Sequence, residues 1–308
     1  MGVILGVDGG NSKTDVVLAS SDGEPLAYVR GPGSNSHGPR GSEGCVDVVA
    51  SLVKRLPFEP PAERAVLFLC GADVPADISE LSALVEARGW AREATIDNDS
   101  LALLHAGTDR PDAVAVICGS GINCIGRNAA GAVARYPALG WETGDWGGGE
   151  AVGREALYLA NRAADGRGEA TVLVDVVERH FGKPVVEVGI DVHYGAMKET
   201  RLGELAPAVV DAAAAGDAVA LALVGRLADE IVTLVERALR DLRLHDADVV
   251  LGGGMLGGRG FLFDLVARSL PLVPVAPDLP PVAGAVLAAA DERARARFRD
   301  AFRGWTPR

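Results

Sequence analysis

The sequence lacks the features that mark several classes of protein. It has four cysteines, none of them in a C-x-x-C spacing, so neither a disulfide framework nor a zinc site is expected. Its formal net charge of −12 leaves no basic excess, which argues against nucleic acid as a partner. No apolar run reaches the ~20 residues that a membrane span needs, and the first residues, MGVILGVDGG, lack the basic region of a signal peptide. We therefore expect a cytoplasmic protein that binds neither nucleic acid nor membranes.

Aromatic residues are also scarce, at 5%, but the composition is otherwise that of a globular α/β protein, with 48% hydrophobic residues and 39 glycines. At 308 residues the chain is long enough for two domains, because single hydrophobic cores stop growing near ~250–300 residues. We expect an N-terminal lobe over 1–111, completed by a helix over 282–308, and a C-terminal lobe over 112–281.

A glycine-rich loop, GVDGGNSKTD, lies directly after the first apolar stretch and ends in Lys13-Thr14. A P-loop would have glycine before the lysine and a helix after it. Here Ser12 precedes the lysine, and the residues from Asp15 to Leu18 are β-prone and end at a Ser-Asp-Gly turn. The pattern therefore predicts a strand–loop–strand hairpin and not a Walker A motif.

The hairpin is the start of a pattern that occurs twice. Val3–Gly31 and Val114–Gly140 each contain an apolar strand, a glycine-rich tip, a returning strand and a third strand after a polar turn. Two such meanders imply two related lobes with facing glycine loops, whose backbone N–H groups can bind anions. Further strands are predicted over 64–71, 93–98, 248–254 and 272–276. Helices are predicted over 42–56, 76–88, 149–164, 171–181, 203–215, 217–242, 260–270 and 282–302, with another beginning at Ser100.

Three glycine loops, DGGNSKTD, CGSGINCIG and LGGGM, have the order and spacing of the phosphate-1, phosphate-2 and adenosine motifs. In this the chain resembles the superfamily of sugar kinases, actin and heat-shock ATPases. Through GSNSHG, DNDSLALLHAG and GWETGDWGGG it is most similar to BadF-type ATPases and N-acetylglucosamine kinases. The resemblance implies an α/β fold of two ribonuclease-H-like (actin-like ATPase) lobes with a central cleft, ATP and Mg²⁺ as cofactors, and a homodimer.

The same resemblance assigns the nucleotide and its metal ion to particular residues. Asp8, at the end of the first strand, is implied to hold Mg²⁺ through water, since a hard oxygen ligand suits that ion. Lys13 is implied to act as a point charge on the phosphates. The residues implied to contact the nucleotide are Gly9, Gly10, Asn11, Ser12, Lys13, Gly119, Ser120, Gly121, Gly216, Gly252, Gly253 and Gly254.

Phosphoryl transfer also needs a group that takes a proton from the acceptor hydroxyl. Asp97 and Asp99 lie together at a predicted strand end, and Asp99 is also placed to cap the next helix. The resemblance makes Asp99 the catalytic base, with Asp97 and a purely capping role for Asp99 as the alternatives. The residues implied to bind the sugar are Asn35, Asp99, Ile122, Asn123, Trp141 and Asp145.

The sequence departs from the family at the sugar site, where G-D-E-G-S is replaced by Gly144-Asp145-Trp146-Gly147-Gly148. Trp141 or Trp146 could form an apolar wall for a sugar ring. The departure leaves open which sugar binds, whether its N-acetyl group is required, and whether Asp145 contacts sugar or metal.

The function expected from the resemblance is ATP-dependent phosphorylation of an amino sugar, at O6 of N-acetylglucosamine. Glucosamine and N-acetylmuramic acid are the alternative acceptors. A different alternative is a BadF-type activator ATPase of a dehydratase, which would need thiolate ligands for an iron–sulfur cluster. Cys118 and Cys124, on the strands beside the second glycine loop, are instead expected to be buried apolar residues.

Overall fold

The computed structural model describes residues 2–305, apart from the side chains at positions 258, 292 and 293. Contacts divide the chain into two compact units. The first unit comprises Met1–Ala115, Ile125–Pro137 and Pro277–Arg308, and the second comprises Val116–Cys124 and Ala138–Ala276. The division therefore falls within two consecutive strands of the second meander.

The described residues form strands and helices in a mixed order. The strands are β1 (Val3–Gly9), β2 (Lys13–Ser20), β3 (Pro25–Pro32), β4 (Ala62–Leu69), β5 (Ala91–Asn98), β6 (Ala113–Cys118), β7 (Ile122–Arg127), β8 (Val133–Arg135), β9 (Asp248–Gly252) and β10 (Pro274–Val275). The helices are α1 (Gly41–Val53), α2 (Pro75–Glu86), α3 (Ser100–Gly107), α4 (Gly148–Ala164), α5 (Leu173–Phe181), α6 (Val185–His193), α7 (Ala206–Ala214), α8 (Ala218–Leu242), α9 (Phe261–Ser269), α10 (Pro281–Ala289) and α11 (Glu292–Phe302).

The two meanders lead into sheets with the same strand order. Over the described residues, one five-stranded sheet runs β3-β2-β1-β4-β5 and the other runs β8-β7-β6-β9-β10. In both sheets the third strand of the meander lies at one edge, and the strands added later extend the sheet beyond the first strand. The predicted α/β fold with a repeated meander is confirmed.

The first sheet is buried on both faces, as expected for a sheet with parallel strands at its centre. Alternate residues of β1 and β2, such as Val7 and Val16, pack against α1 and α2. The intervening residues, such as Ile4 and Val17, face the other side of the sheet and pack against α3, α10 and α11. Helices from the end of the chain thus complete the core of the first unit.

The ends of three parallel strands meet at one edge of this sheet. β1 and β4 pair with Asp8 opposite Phe68, and β4 and β5 pair with Phe68 opposite Asp97. Strands aligned in this way place the segments that follow them side by side, where ligands bind in open α/β sheets. The hairpin loop after β1, the turn after β4 and the start of α3 therefore lie together.

The second unit is mainly helical around its short strands. The 25-residue helix α8 buries Leu223, Leu227, Ile231 and Val235, a spacing of four that keeps one stripe in the core. Asp217 caps this helix by accepting a hydrogen bond from the Ala220 N–H at 2.8 Å. Among the described helices, none combines the length and the apolar content that a membrane span requires.

Two helix predictions were wrong in detail, and one helix was not predicted. The helix predicted over 282–302 is divided into α10 and α11, because Asp291 accepts a hydrogen bond from the Ala294 N–H at 2.8 Å and begins a new helix. The helix predicted over 203–215 consists of a 3₁₀ segment, Glu199–Leu205, followed by α7, which has proline in its first turn. Helix α6 was missed.

Candidate active site

Asp99 follows β5 directly and lies at the N-terminal end of α3, where its side chain makes no capping hydrogen bond in the described structure. Asn98 instead binds the first residue of α3: its side-chain oxygen accepts hydrogen bonds from the Ser100 N–H at 2.9 Å and from the Ser100 hydroxyl. The Asp99 carboxylate is therefore not used as a helix cap.

Asp97, the alternative base, is engaged elsewhere. Both of its carboxylate oxygens accept hydrogen bonds from the Arg135 guanidinium, one of them at 2.6 Å. One oxygen also accepts a hydrogen bond from the Asn98 N–H at 2.7 Å. Both oxygens of Asp97 are therefore occupied by hydrogen bonds from residues of the first unit.

Asp8 and Asp99 are acidic groups with unusual proton affinities. Burial raises the pKa of the Asp99 carboxyl to about 7, and the charges of Asp8 and then Asp73 add to the effect. Burial also raises the pKa of Asp8 to about 7, against the opposing charge of Lys13. An aspartate with a pKa near neutrality is suited to accept a proton during catalysis.

We expect the metal-free protein to lose stability as the pH rises from 3.8 toward 7, in part through Asp8. The pKa of Asp8 is about 7 in the folded protein, against 3.8 for an ordinary aspartate, so the native state holds a proton that the unfolded chain releases. This one group lowers the free energy of unfolding by roughly 1.4 kcal/mol per pH unit within that window. Urea unfolding in EDTA should show that Asp8→Asn gains stability over wild type as the pH rises. Parallel curves for the two proteins would contradict the raised pKa.

Lys13 lies in a network that the sequence did not predict. Its ammonium donates to Asp15 at 2.7 Å, and the same buried carboxylate accepts hydrogen bonds from Arg30 Nε at 2.6 Å and from the Tyr28 hydroxyl at 2.6 Å. Although burial opposes it, these hydrogen bonds hold the pKa of Asp15 below its usual value. Lys13 and Arg30 thus form a cationic pair beside Asp8, whose pKa both of them lower. Alternation along β3 could have identified Arg30, which pairs with Asp15 across the sheet.

The first glycine loop contacts the segment GSNSHG. Asn35 donates from its amide to the side-chain oxygen of Asn11 at 2.6 Å, and its own oxygen accepts the His37 N–H at 2.8 Å. The structure therefore places a residue predicted to bind the nucleotide in contact with a residue predicted to bind the sugar. Thr14 and Ser34, both buried, strengthen this contact through a hydroxyl–hydroxyl hydrogen bond of 2.8 Å.

Asp73 is a third acidic residue near Asp99, and the sequence analysis missed it. It follows β4, and it accepts a hydrogen bond from the Asn98 amide at 2.8 Å. His37 lies 3.8 Å from its carboxylate and 3.4 Å from that of Asp77. The signal that could have found it is an acid near the C-terminal end of a parallel strand: Asp73 lies four residues beyond β4, and Asp97 and Asp99 lie at the end of β5.

In the second unit, the glycine loop 119–121 is attached to the start of α4. The Gly149 N–H donates to the Gly119 carbonyl at 2.7 Å, and the Glu150 N–H donates to the Ser120 carbonyl at 2.9 Å. Gly148 has a φ of +75°, and a Cβ on it would lie 2.4 Å from the Gly121 backbone. Only glycine allows this approach, so the loop packs directly on the N-terminal end of α4, whose Gly149 and Glu150 N–H groups are used by the loop carbonyls.

The third glycine loop joins the same cluster. Gly253 has a φ of +97°, and a Cβ on it would lie 2.4 Å from the Cys118 carbonyl oxygen. The same oxygen accepts a hydrogen bond from the Met255 N–H at 2.9 Å. The backbone around Gly252, Gly253 and Gly254 therefore packs directly on the strand that carries the loop 119–121. Gly216 lies elsewhere in this unit, at the C-terminal end of α7 with a φ of +95°.

The remaining residues predicted to bind sugar lie in and around the segment before α4. Ile122 is buried at the start of β7, and the Asn123 side chain accepts the Cys124 N–H at 2.7 Å. Trp141 is 73% exposed, in a short 3₁₀ helix, and the Asp145 N–H donates to the Gly140 carbonyl at 3.1 Å. Trp146 is covered by the Arg226 guanidinium, 3.8 Å from the ring centroid. Of the two tryptophans, Trp141 has the open ring face.

Comparisons with known proteins agree on one group. A model of the BadF/BadG/BcrA/BcrD ATPase family matches residues 5–289. An N-acetylmuramic acid/N-acetylglucosamine kinase of Clostridium acetobutylicum is 26% identical over 285 residues, covering 88% of this chain and 91% of that protein. An N-acetyl-D-glucosamine kinase of Dictyostelium discoideum is 26% identical over 286 residues, covering 87% and 90%.

A solved structure shows the same fold. It is a protein from Chromobacterium violaceum assigned as an N-acetylglucosamine kinase, with a TM-score of 0.74 and 23% identity, and the match covers 94% of this chain and 99% of that one. The resemblance noted in the sequence is therefore confirmed for both family and fold.

Proposed function

The chain belongs to the BadF/BadG/BcrA/BcrD ATPase family, and from this premise we propose that it is an ATP-dependent amino-sugar kinase. The proposed reaction transfers the γ-phosphoryl group of ATP to O6 of N-acetylglucosamine. The curated relatives named above, which are kinases of N-acetylglucosamine or N-acetylmuramic acid, support this substrate class. N-acetylmuramic acid and glucosamine are the alternative acceptors.

The observation that carries the proposal is the state of the Asp99 carboxylate. It lies at the end of a parallel strand, it does not cap its helix, and burial raises its pKa to about 7. In a kinase, such a group accepts the proton of the acceptor hydroxyl and orients that oxygen toward the phosphorus. The electrostatic coupling of Asp99 to Asp8 supports placing the acceptor close to the metal and phosphates.

The donor set around Asp8 fits Mg²⁺. Among the described residues, no group of three metal-ligating side chains occurs, and Mg²⁺ in kinases is held by one or two carboxylates together with water and substrate phosphates. A buried carboxylate with a raised pKa gains from a neighbouring cation. Asp8 would hold the ion, which when bound neutralises charge on the phosphates.

The phosphates and the adenosine are proposed to bind the glycine loops. Asn11, Ser12 and Lys13 would donate to phosphate oxygens from the hairpin. Ser120 and Gly121 of loop 119–121 would offer backbone N–H groups from the second unit. Gly252–Gly254 would accept the flat adenine and ribose where a side chain would clash, and Gly216 is proposed to border this site.

The sugar is proposed to contact residues from the segments around both glycine loops. Asn35 and Asp99 would bind hydroxyl groups from the first unit. Ile122, Asn123 and Asp145, which lie in the second unit, are also proposed to bind the sugar, with Trp141 as an apolar wall.

The buried cysteines favour a kinase over a dehydratase activator. Cys118 and Cys124 are both buried, and burial raises the pKa of the Cys118 thiol to about 12 and that of Cys124 further. Thiols in this state stay protonated, whereas a cluster ligand must be a thiolate. We further propose a cytoplasmic homodimer, since ATP is an intracellular substrate; light scattering coupled to gel filtration measures the oligomeric state.

A coupled assay with MgATP and a panel of sugars tests the function. We expect turnover with N-acetylglucosamine, none with its 6-deoxy analogue, and little ATP hydrolysis without sugar, because the acceptor oxygen at C6 is required. The 6-deoxy sugar is the matched control, since it differs only in that oxygen. If no sugar reacts, and the anaerobically purified protein is brown and hydrolyses ATP alone, the activator function would replace the kinase.

A further inference from the structure

Three arginines lie around the partly buried side chain of His105 near the C-terminal end of α3. Arg299, from α11, is 5% exposed and donates hydrogen bonds to the carbonyl oxygens of Ala106 at 3.0 Å and His105 at 2.9 Å. It also forms ion pairs with Asp109 at 2.7 Å and Asp278 at 2.6 Å. The charge and the donors of Arg299 are therefore satisfied within the first unit.

The other two arginines, Arg127 and Arg295, are not satisfied. Arg127 contacts the His105 Nδ1 at 3.2 Å and donates to the Arg110 carbonyl at 3.0 Å. The Nε–H groups of both Arg127 and Arg295 are buried and have no acceptor among residues 2–305. Within the same residues neither guanidinium forms an ion pair with a carboxylate, although the charge of Asp109 acts on Arg127. Buried donors without acceptors are rare in native proteins, and a ligand is one explanation for them.

The charges of the cluster do not balance. Three guanidinium groups face the two carboxylates that pair with Arg299. Burial and the charges of Arg127, Arg295 and Arg299 lower the pKa of His105 to about 3, so the imidazole is neutral and Arg127 donates to it. Burial, and then the charge of Arg295, lowers the pKa of Arg127 to about 10, against the opposing charge of Asp109. Among the described side chains the cluster therefore has three guanidinium groups, two carboxylates and two unused donors.

We propose that Arg127 and Arg295 together bind a small oxyanion, phosphate or sulfate, through their buried Nε–H groups. A guanidinium presents its donors in a planar fork that matches the oxygens of such an anion. A tetrahedral oxyanion has enough oxygens to accept from both arginines, and its charge offsets their mutual repulsion. The site is distinct from the candidate active site, because α3 separates them: its eight residues extend about 12 Å from Asp99 to this end.

The test is thermal unfolding of the full chain in increasing phosphate or sulfate, compared with sodium chloride at equal ionic strength. Every sample contains Mg²⁺ and a saturating non-hydrolysable ATP analogue, so that the glycine loops are already filled. We expect the wild-type Tm to rise saturably, by roughly 5 °C at a hundredfold excess over Kd. Arg295→Met should abolish this rise, because it removes one guanidinium that makes no hydrogen bond within the described residues.

Arg303→Met is the matched control, since Arg303 lies directly after α11, is exposed and, among the described side chains, forms an ion pair with the nearby Asp300 alone. It should keep the full response to phosphate. If Arg295→Met does not fold, Arg295→Lys keeps the charge without the fork and should weaken phosphate binding at least ~10-fold. A rise that chloride reproduces, or one that survives in the Arg295 variants, would overturn the proposal. If the ATP analogue fails to bind, that result would contradict the proposed kinase function. The comparison of the phosphate response between wild type and the Arg295 variants would still test the oxyanion site.

Discussion

Replacing Asp99 by asparagine is expected to lower kcat by ~10²–10⁴-fold, the usual contribution of a general base. Asparagine keeps the size of the side chain but cannot accept the proton of the acceptor hydroxyl. The fold should be retained, because Asn98 and not Asp99 serves the start of α3. Stability should even rise at neutral pH, since a buried carboxylate with a raised pKa is removed. Steady-state kinetics, calorimetric binding of the ATP analogue and thermal unfolding measure the three effects.

Asp97→Asn is the matched control for this prediction. It removes a carboxylate two residues away that forms an ion pair with Arg135. Loss of a partly exposed pair should cost about 1 kcal/mol or less, and kcat should stay near the wild-type value. If the results were exchanged, with Asp97→Asn inactive and Asp99→Asn active, the base would be Asp97. An Asp99→Asn protein that unfolds would show that Asp99 is structural.

Replacing Asp8 by asparagine is expected to lower kcat by at least ~10²–10³-fold, the size of effect seen when one transition-state electrostatic contact is lost. The amide keeps the shape of the carboxylate but lacks the charge that would hold Mg²⁺. A second readout does not depend on turnover: Mg²⁺ should tighten ATP-analogue binding in wild type and not in Asp8→Asn. Calorimetric titrations with Mg²⁺ and with EDTA provide the comparison.

Asp22→Asn controls for the loss of one negative charge. Asp22 is exposed in the turn between β2 and β3 and pairs with Arg297. This variant should keep both its turnover and its Mg²⁺ dependence. If Asp8→Asn also kept the tightening by Mg²⁺, the ion would be held by other groups and Asp8 would not be its ligand.

Much of the fold could be predicted from local features of the chain. The hairpin after β1 follows from Ser12 before Lys13 and from the β-prone residues after it, and the structure pairs Asp8 with Asp15 across it. The second meander has the same order of strands and turns as the first, and the two sheets have the same strand order. These features depend on residues close together in the sequence, so they can be predicted without knowledge of the tertiary contacts.

The candidate site was less predictable, because its residues are adjusted by partners far along the chain. Arg135 pairs with Asp97 from 38 residues away. Arg30, on another strand, shares the Asp15 carboxylate with Lys13. Alternation along β3 could have identified Arg30, but the pairing of Arg135 leaves no signal in the local pattern, since a charged residue on a strand is taken as solvent-exposed unless its cross-strand neighbour is known.

The sequence alone determined which residues can carry the chemistry: three glycine loops, and acids at the ends of apolar strands. It left Asp97 and Asp99 both open as the base, because two acids at one strand end look alike in sequence. Tertiary structure distinguished their environments, by pairing Asp97 with Arg135, by giving the cap of α3 to Asn98, and by burying Asp99 near Asp8 and Asp73. The physical reason is that proton affinity depends on burial and on neighbouring charge, and both are properties of the folded chain.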